Sequence, residues 1–170
     1  MNSAFEEVFG GEALQIPMLT SREVTETLGI KMPRLERFLE NYELEPAQRG
    51  QGQGTQRLFS LDNVRRLAIA KWLLADGFQP RLVAKIIEDL KDRQFVEYDN
   101  AGRELSLSLV LRRDPELKKR KAEIVSTRSG KAAPMKEALK NAYYSLDLDP
   151  LIAEVDERVR EVLLRRGKGR

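Results

Sequence analysis

Between Leu19 and Leu90 the sequence is cut into four short helical segments by residues that leave little choice about where each one starts and stops. Thr20-Ser21-Arg22-Glu23 is a capping box, in which a hydroxyl and a carboxylate three residues apart satisfy amides that the first turn leaves without partners. The helix it opens runs from Thr20 to Leu28 and is ended by Gly29, which takes the left-handed conformation without a Cβ clash. Pro33 suits the first position of a second helix, Pro33 to Tyr42, and Pro46 forbids its continuation. Ser60 caps a third helix that Gly77 stops. Pro80 opens a fourth, with Leu82, Val83, Ile86, Ile87 and Leu90 on one apolar stripe. Between the second and third helices lies Arg49-Gly50-Gln51-Gly52-Gln53-Gly54-Thr55-Gln56-Arg57, a glycine-rich strand pair running on to Phe59.

The second helix separates its side chains by chemistry. At about 100° per residue, Leu35, Phe38, Leu39 and Tyr42 share one face, Glu36 and Glu40 a second, and Arg34, Arg37 and Asn41 a third. Arginine forks match guanine O6 and N7, and asparagine pairs two-fold with adenine, so the third face suits major-groove reading. Solvation of an ordinary surface helix is the plainer alternative. In the glycine-rich strand pair, glycine permits close backbone approach, and the flanking arginines and amides can donate to phosphate or minor-groove acceptors. A nucleotide-type phosphate loop is excluded, because neither its G-x-x-x-x-G-K-[ST] pattern nor its strand-to-helix context is present. A purely connecting hairpin is the remaining alternative.

These elements resemble the winged-helix DNA-binding domain of MerR-type regulators. Leu28-Gly29-Ile30 is similar to their turn, Thr55-Gln56-Arg57-Leu58-Phe59-Ser60 to their wing, and Asp76-Gly77-Phe78 to their leucine-glycine-phenylalanine turn. The resemblance implies that Arg57 touches phosphate and that Phe59 is the aromatic that follows it. It departs in the second helix, where Glu36-Arg37-Phe38-Leu39 stands for the family's arginine-tyrosine-tyrosine-glutamate and an acid replaces a DNA-contacting arginine. Arg34 and Arg37 are then expected to take over that contact. The candidate DNA-binding set is Arg22, Lys31, Arg34, Arg37, Asn41, Arg49, Gln53, Gln56 and Arg57.

After Lys91 the family pattern stops. Phe95-Val96-Glu97-Tyr98 and Leu105 to Leu111 alternate with period two around Asp99-Asn100-Ala101-Gly102, which predicts a β-hairpin. Its apolar face, Leu105, Leu107, Leu109 and Leu111, needs a cover. The expected covers are a helix from Pro134 to Ser145 and another after Pro150. The latter shows Ile152, Val155, Val159 and Val162 at heptad spacing, the candidate dimerisation seam, with an internal packing face as the alternative reading. A basic run containing Lys118 and Lys119 reads either as a solvated linker face or as a phosphate clamp that adds affinity without reading sequence.

Composition bounds the rest. The 170 residues carry a net charge of +3, with the positive excess after Gln94. They hold neither cysteine nor histidine, which removes disulfides, thiol nucleophiles and the usual metal ligand and proton shuttle. No catalytic residue, metal or cofactor is expected. Asp147 and Asp149, the best acidic pair for magnesium, flank a proline at a helix start, where capping explains them. Met1 to Pro17 is too acidic and too broken by Gly10 and Gly11 for a signal peptide, so a cytoplasmic, nucleoid-associated protein without membrane contact is expected.

The expected fold is mostly α (α+β). An N-terminal extension over 1–18 precedes a winged helix-turn-helix domain over 19–91, an α+β hairpin and helix domain over 95–164, and a basic tail over 165–170. The expected function is sequence-specific binding of double-stranded DNA by a homodimer, in transcription or in genome organisation and segregation. The alternatives are a protein-interaction adaptor, engaging partners through the N-terminal extension or the C-terminal domain, and a phage-type packaging or recombination factor.

Overall fold

In a computed structural model the described residues are 18–42, 44, 46–48, 56–91, 95, 106–113, 120–127 and 142–168. They form β1 (Leu19–Thr20), α1 (Ser21–Leu28), α2 (Met32–Tyr42), β2 (Leu58–Phe59), α3 (Leu61–Ala75), α4 (Pro80–Asp89), β3 (Ser106–Arg113), β4 (Arg120–Thr127), β5 (Ala142–Asp147) and α5 (Asp149–Lys168). The fold is mostly helical, with a small antiparallel sheet.

The capping residues act where their chemistry requires. The Thr20 amide donates to Glu23 Oε2 at 2.7 Å and the Glu23 amide to Thr20 Oγ1 at 3.3 Å, closing the capping box on α1. Gly29, at φ 59°, ends the helix, and the amides of Gly29 and Ile30 satisfy carbonyls of its last turn. Ser60 and Asn63 form the equivalent box on α3. Pro80 occupies the first turn of α4. Pro33 falls one position later than expected, because α2 begins at Met32.

Helix α3 is the spine of the molecule. From Asn63 to Ala70 every residue is buried, so the helix meets neighbours all round. Helix α2 lays Leu35, Phe38 and Tyr42 toward α4, whose Val83, Ile86 and Ile87 are buried in the same core. β1 pairs antiparallel with β2, Leu19 opposite Phe59, while Gln48 bridges Leu58 with both N–O distances at 3.1 Å. The bridge joins Leu58, inside the expected strand pair, to Gln48, the residue just before it; Arg49 and Gln53 fall outside the described residues.

The second half differs from expectation. Leu107, Leu109 and Leu111 do form the apolar face of a strand, but β3 is central in the order β4-β3-β5, and its partners are Arg120–Thr127 and Ala142–Asp147. The expected partner segment, Phe95 to Tyr98, contributes a buried Phe95, and 96–98 lie outside the described residues. Residues 120–127 continue the basic run that contains Lys118 and Lys119. Their alternation becomes visible only once Ala122 and Ile124 face the core, and a charged edge strand resists pairing with other chains. Of the helix expected over Pro134 to Ser145, residues 134–141 lie outside the described residues, and Ala142–Ser145 are strand. Tyr143 and Tyr144 favour the pleated surface, and the buried sides of residues 142, 144 and 146 alternate with period two.

The sheet packs with Leu109 between Ile124 and Leu146, and Leu111 between Ala122 and Tyr144. Tyr144 meets Phe78 edge-on at 4.8 Å and lies 6.3 Å from Trp72, pinning β5 to the turn between α3 and α4. One continuous hydrophobic core joins the sheet, α5 and the N-terminal helices.

Helix α5 bears on the two readings of its apolar seam. Val155, Val159 and Val162 are 5%, 0% and 5% exposed, and the helix lies against α1 and α3 of its own chain, with Ile152 half-buried. The valine face is therefore packed within its own chain, as the internal-face reading of the seam expects. At two heptads it is too short to favour a coiled coil over an available intramolecular groove.

Candidate nucleic-acid interface

The turn between α1 and α2 brings the first helix, the second helix and the residues after the wing to one side of the domain. Lys31 is exposed in that turn, and its carbonyl accepts from the amides of Arg34 at 2.9 Å and Leu35 at 3.2 Å, starting α2. With Leu35, Phe38 and Tyr42 turned inward, helical geometry puts Pro33, Arg37 and Glu40 on the outer crest. Arg34 and Asn41 fall on one flank and Glu36 on the other. Arg34, Arg37, Glu40 and Asn41 are all exposed. The Arg34 guanidinium lies 5.5 Å from the Phe38 ring centroid, which holds its stem against the helix and its charge outward.

On the Glu36 flank, Thr20, Ser21, Arg22, Glu36, Gln56 and Arg57 line a shallow groove of about 360 Å³. Three of the expected contact residues, Arg22, Gln56 and Arg57, thus come together from two segments more than thirty residues apart in sequence. The start of α1 adds oriented amides and the positive end of its dipole. Arg57 Nη1 donates to Glu36 Oε2 at 2.7 Å, and both side chains are more than 40% exposed. An ion pair so open to water is worth at most about 1 kcal/mol, so it costs little to break. Glu36, the acid at which α2 departs from the family pattern, consequently orients Arg57. No pairwise pattern in the sequence links positions 36 and 57, so this contact was not legible beforehand.

Of the other candidates, Arg49, Gln53, Lys118 and Lys119 lie outside the described residues. Within the same basic run, Arg112 faces Glu123 across the sheet with Nε–Oε2 at 3.5 Å. The acids Asp147 and Asp149 are engaged by backbone: Asp147 Oδ1 accepts the Asp149 amide at 3.1 Å and Asp149 Oδ1 the Leu107 amide at 2.7 Å, as capping and turn formation require.

The reading elements are held from behind by α5. Arg65, 6% exposed in α3, donates Nε and Nη2 to the two oxygens of Asp156 at 3.0 and 2.5 Å and Nη1 to Asp62 at 3.1 Å. Burial pulls its pKa down, but the two carboxylates outweigh burial and hold it above the ordinary value. At the far end of α5, Arg166 donates Nε to Glu23 Oε1 at 2.6 Å and Nη2 to the Met18 carbonyl at 3.0 Å, and Arg165 pairs with Glu26 at 2.5 Å. Burial raises the Glu23 carboxyl; the Arg166 and Thr20 hydrogen bonds overcome it and leave the pKa below the usual carboxylate value. The last carbonyls of α1 receive Lys71 on Leu28 at 2.6 Å and Arg158 on Thr27 at 3.4 Å. Both ends of α1 are therefore fixed by cations from α3 and α5. The sequence assigns no role to Arg65 or Arg158 and places Arg165 and Arg166 in a basic tail, whereas the helix runs on to Lys168 and both arginines pair with acids of α1.

Residues 19–90 match the family described as MerR HTH family regulatory protein. No curated protein matches the chain. The segment 19–90 is thus similar to a MerR helix-turn-helix domain, and the observed boundaries of β1 to α4 fall within the matched residues. Among the described residues no helix is long and apolar enough to cross a membrane.

Proposed function

We propose that the chain is a DNA-binding transcriptional regulator whose α2 enters the major groove while Arg22, Gln56 and Arg57 take the phosphates of the adjoining strand. The observation that carries this reading is the alignment, on one side of a MerR-like domain, of an exposed helix crest bearing Arg37, flanked by Arg34 and Asn41, with a groove lined by Arg22, Gln56 and Arg57. Base-edge contacts specify and phosphate contacts position. One such domain covers one half-site, so a paired site takes two chains. Their contact lies outside the valine face of α5, which is occupied within the chain.

The test is anisotropy of a labelled duplex carrying the preferred site against random duplex. Arg37→Ala should cost about 1–3 kcal/mol on the preferred site and less on random DNA. Arg57→Ala should weaken both alike and lower the slope of log affinity against log salt by about one unit. Equal losses on both duplexes for Arg37→Ala remove it from base readout, and salt-independent binding refutes the DNA reading. Genome-wide recovery of bound DNA then separates a regulator, with one site beside its own gene, from an organiser with many.

A further inference from the structure

A second concavity opens on the other flank of α2, about 140° around the helix from Glu36, where Asn41 and Tyr42 end it. Its volume is about 700 Å³, in the range of small-ligand sites. The floor is apolar, formed in part by Leu44, Ala84 and Ile87, whereas the walls carry Arg66, Arg81, Lys85 and Lys91 against one acid among the described residues, Glu88.

The cations are arranged at a cost that solvation alone does not explain. Arg66 is only 8% exposed, and its head is fixed, with Nε on the Leu90 carbonyl at 3.1 Å and the guanidinium carbon 5.5 Å from the Phe95 ring centroid. Arg81 and Lys85 stand one turn apart on α4, a spacing at which like charges weaken a helix. Arg81, Lys85 and Lys91 have neither an ion pair nor a side-chain hydrogen bond among the described residues. A cavity with an apolar floor lowers the local dielectric and strengthens the attraction for a negative group seated among them. We propose that this cavity binds a compact free polyanion, a phosphate or carboxylate compound with two or more negative charges, held by Arg66, Arg81 and Lys85. Because Asn41 and Tyr42 line the same cavity, occupancy bears on the last turn of α2. That coupling rests on the DNA reading, while the site itself does not.

Binding is measured without DNA, by calorimetry and thermal melting of the full chain with pyrophosphate and with citrate as probes, at ionic strength held constant with chloride. At least one probe should saturate at one per chain, and the melting temperature should climb with its concentration as a specific ligand requires. Arg81→Ala and Lys85→Ala should each weaken binding about tenfold, the loss expected for one charged hydrogen bond, with melting in chloride unchanged. Absence of saturation with both probes overturns the site, as does binding indifferent to both variants. A third arm titrates the variants with duplex DNA. If they lose DNA affinity while the parent chain binds no free anion, the cations serve a DNA strand and the free-anion site is overturned; the DNA reading survives either failure.

Discussion

Replacing Asp156 with alanine tests whether α5 belongs to the core of its own chain. The carboxylate takes two of the three donors by which Arg65 is satisfied, at 3.0 and 2.5 Å, leaving Asp62 on Nη1 at 3.1 Å. Breaking a buried pair by removing one partner costs about 3–5 kcal/mol, because the remaining charge is stranded away from water. Two features reduce that figure: Asp62 keeps part of the charge compensated, and Asp156 is itself 24% exposed, so water reaches the vacated side. The expected loss is about 2–3 kcal/mol. Urea unfolding should be followed by circular dichroism and by fluorescence of Trp72, the single tryptophan, which lies beside Tyr144. It should be run at two protein concentrations tenfold apart, and the loss should be the same at both, since the pair is intramolecular. Arg65→Met with Asp156→Leu should return to within about 1 kcal/mol of the parent, because apolar replacement of a buried pair is close to neutral. A loss below about 0.5 kcal/mol, or one that appears only at the lower concentration, refutes the argument that this pair locks α5 onto α3.

The remaining expectations concern the same helix. Val155→Asp with Val159→Asp puts two charges in an internal face that is at most 5% exposed, and should unfold the chain or detach α5 at a cost of several kcal/mol; a folded double variant that only changes oligomeric state by light scattering would return the seam to a dimer interface. Glu23 has a folded-state pKa below its ordinary value, so its stabilisation is present above the unfolded pKa and is lost as pH falls through the folded one. Between about pH 5 and pH 3 the parent chain should therefore lose more stability than Arg166→Ala in parallel urea melts, and identical pH profiles would remove the Arg166 pair from the account.

Local chemistry in the sequence determined the N-terminal architecture almost residue by residue. Capping boxes, Gly29, Gly77 and Pro80 act through contacts within three or four positions, so Thr20, Glu23, Ser60 and Asn63 carry their structural meaning in their spacing. The period-two run of Leu107, Leu109 and Leu111 likewise announces a strand with one buried face. Its partners were a tertiary decision. A strand pairs with whichever segment the core brings beside it, and β4 is hidden in a charge run whose Ala122 and Ile124 become an apolar face only when α4 lies below them. The same holds for α5, whose spacing of Ile152, Val155, Val159 and Val162 describes an apolar stripe and is silent about what covers it. Arg65 and Asp156, 91 positions apart, settle the partner through a contact that no local pattern encodes, and Glu36 with Arg57 does so for the reading face. Backbone conformation follows short-range sterics and hydrogen bonding, legible from neighbours in the chain, whereas the choice among apolar surfaces and charged partners depends on which of them the completed core leaves within a few ångströms.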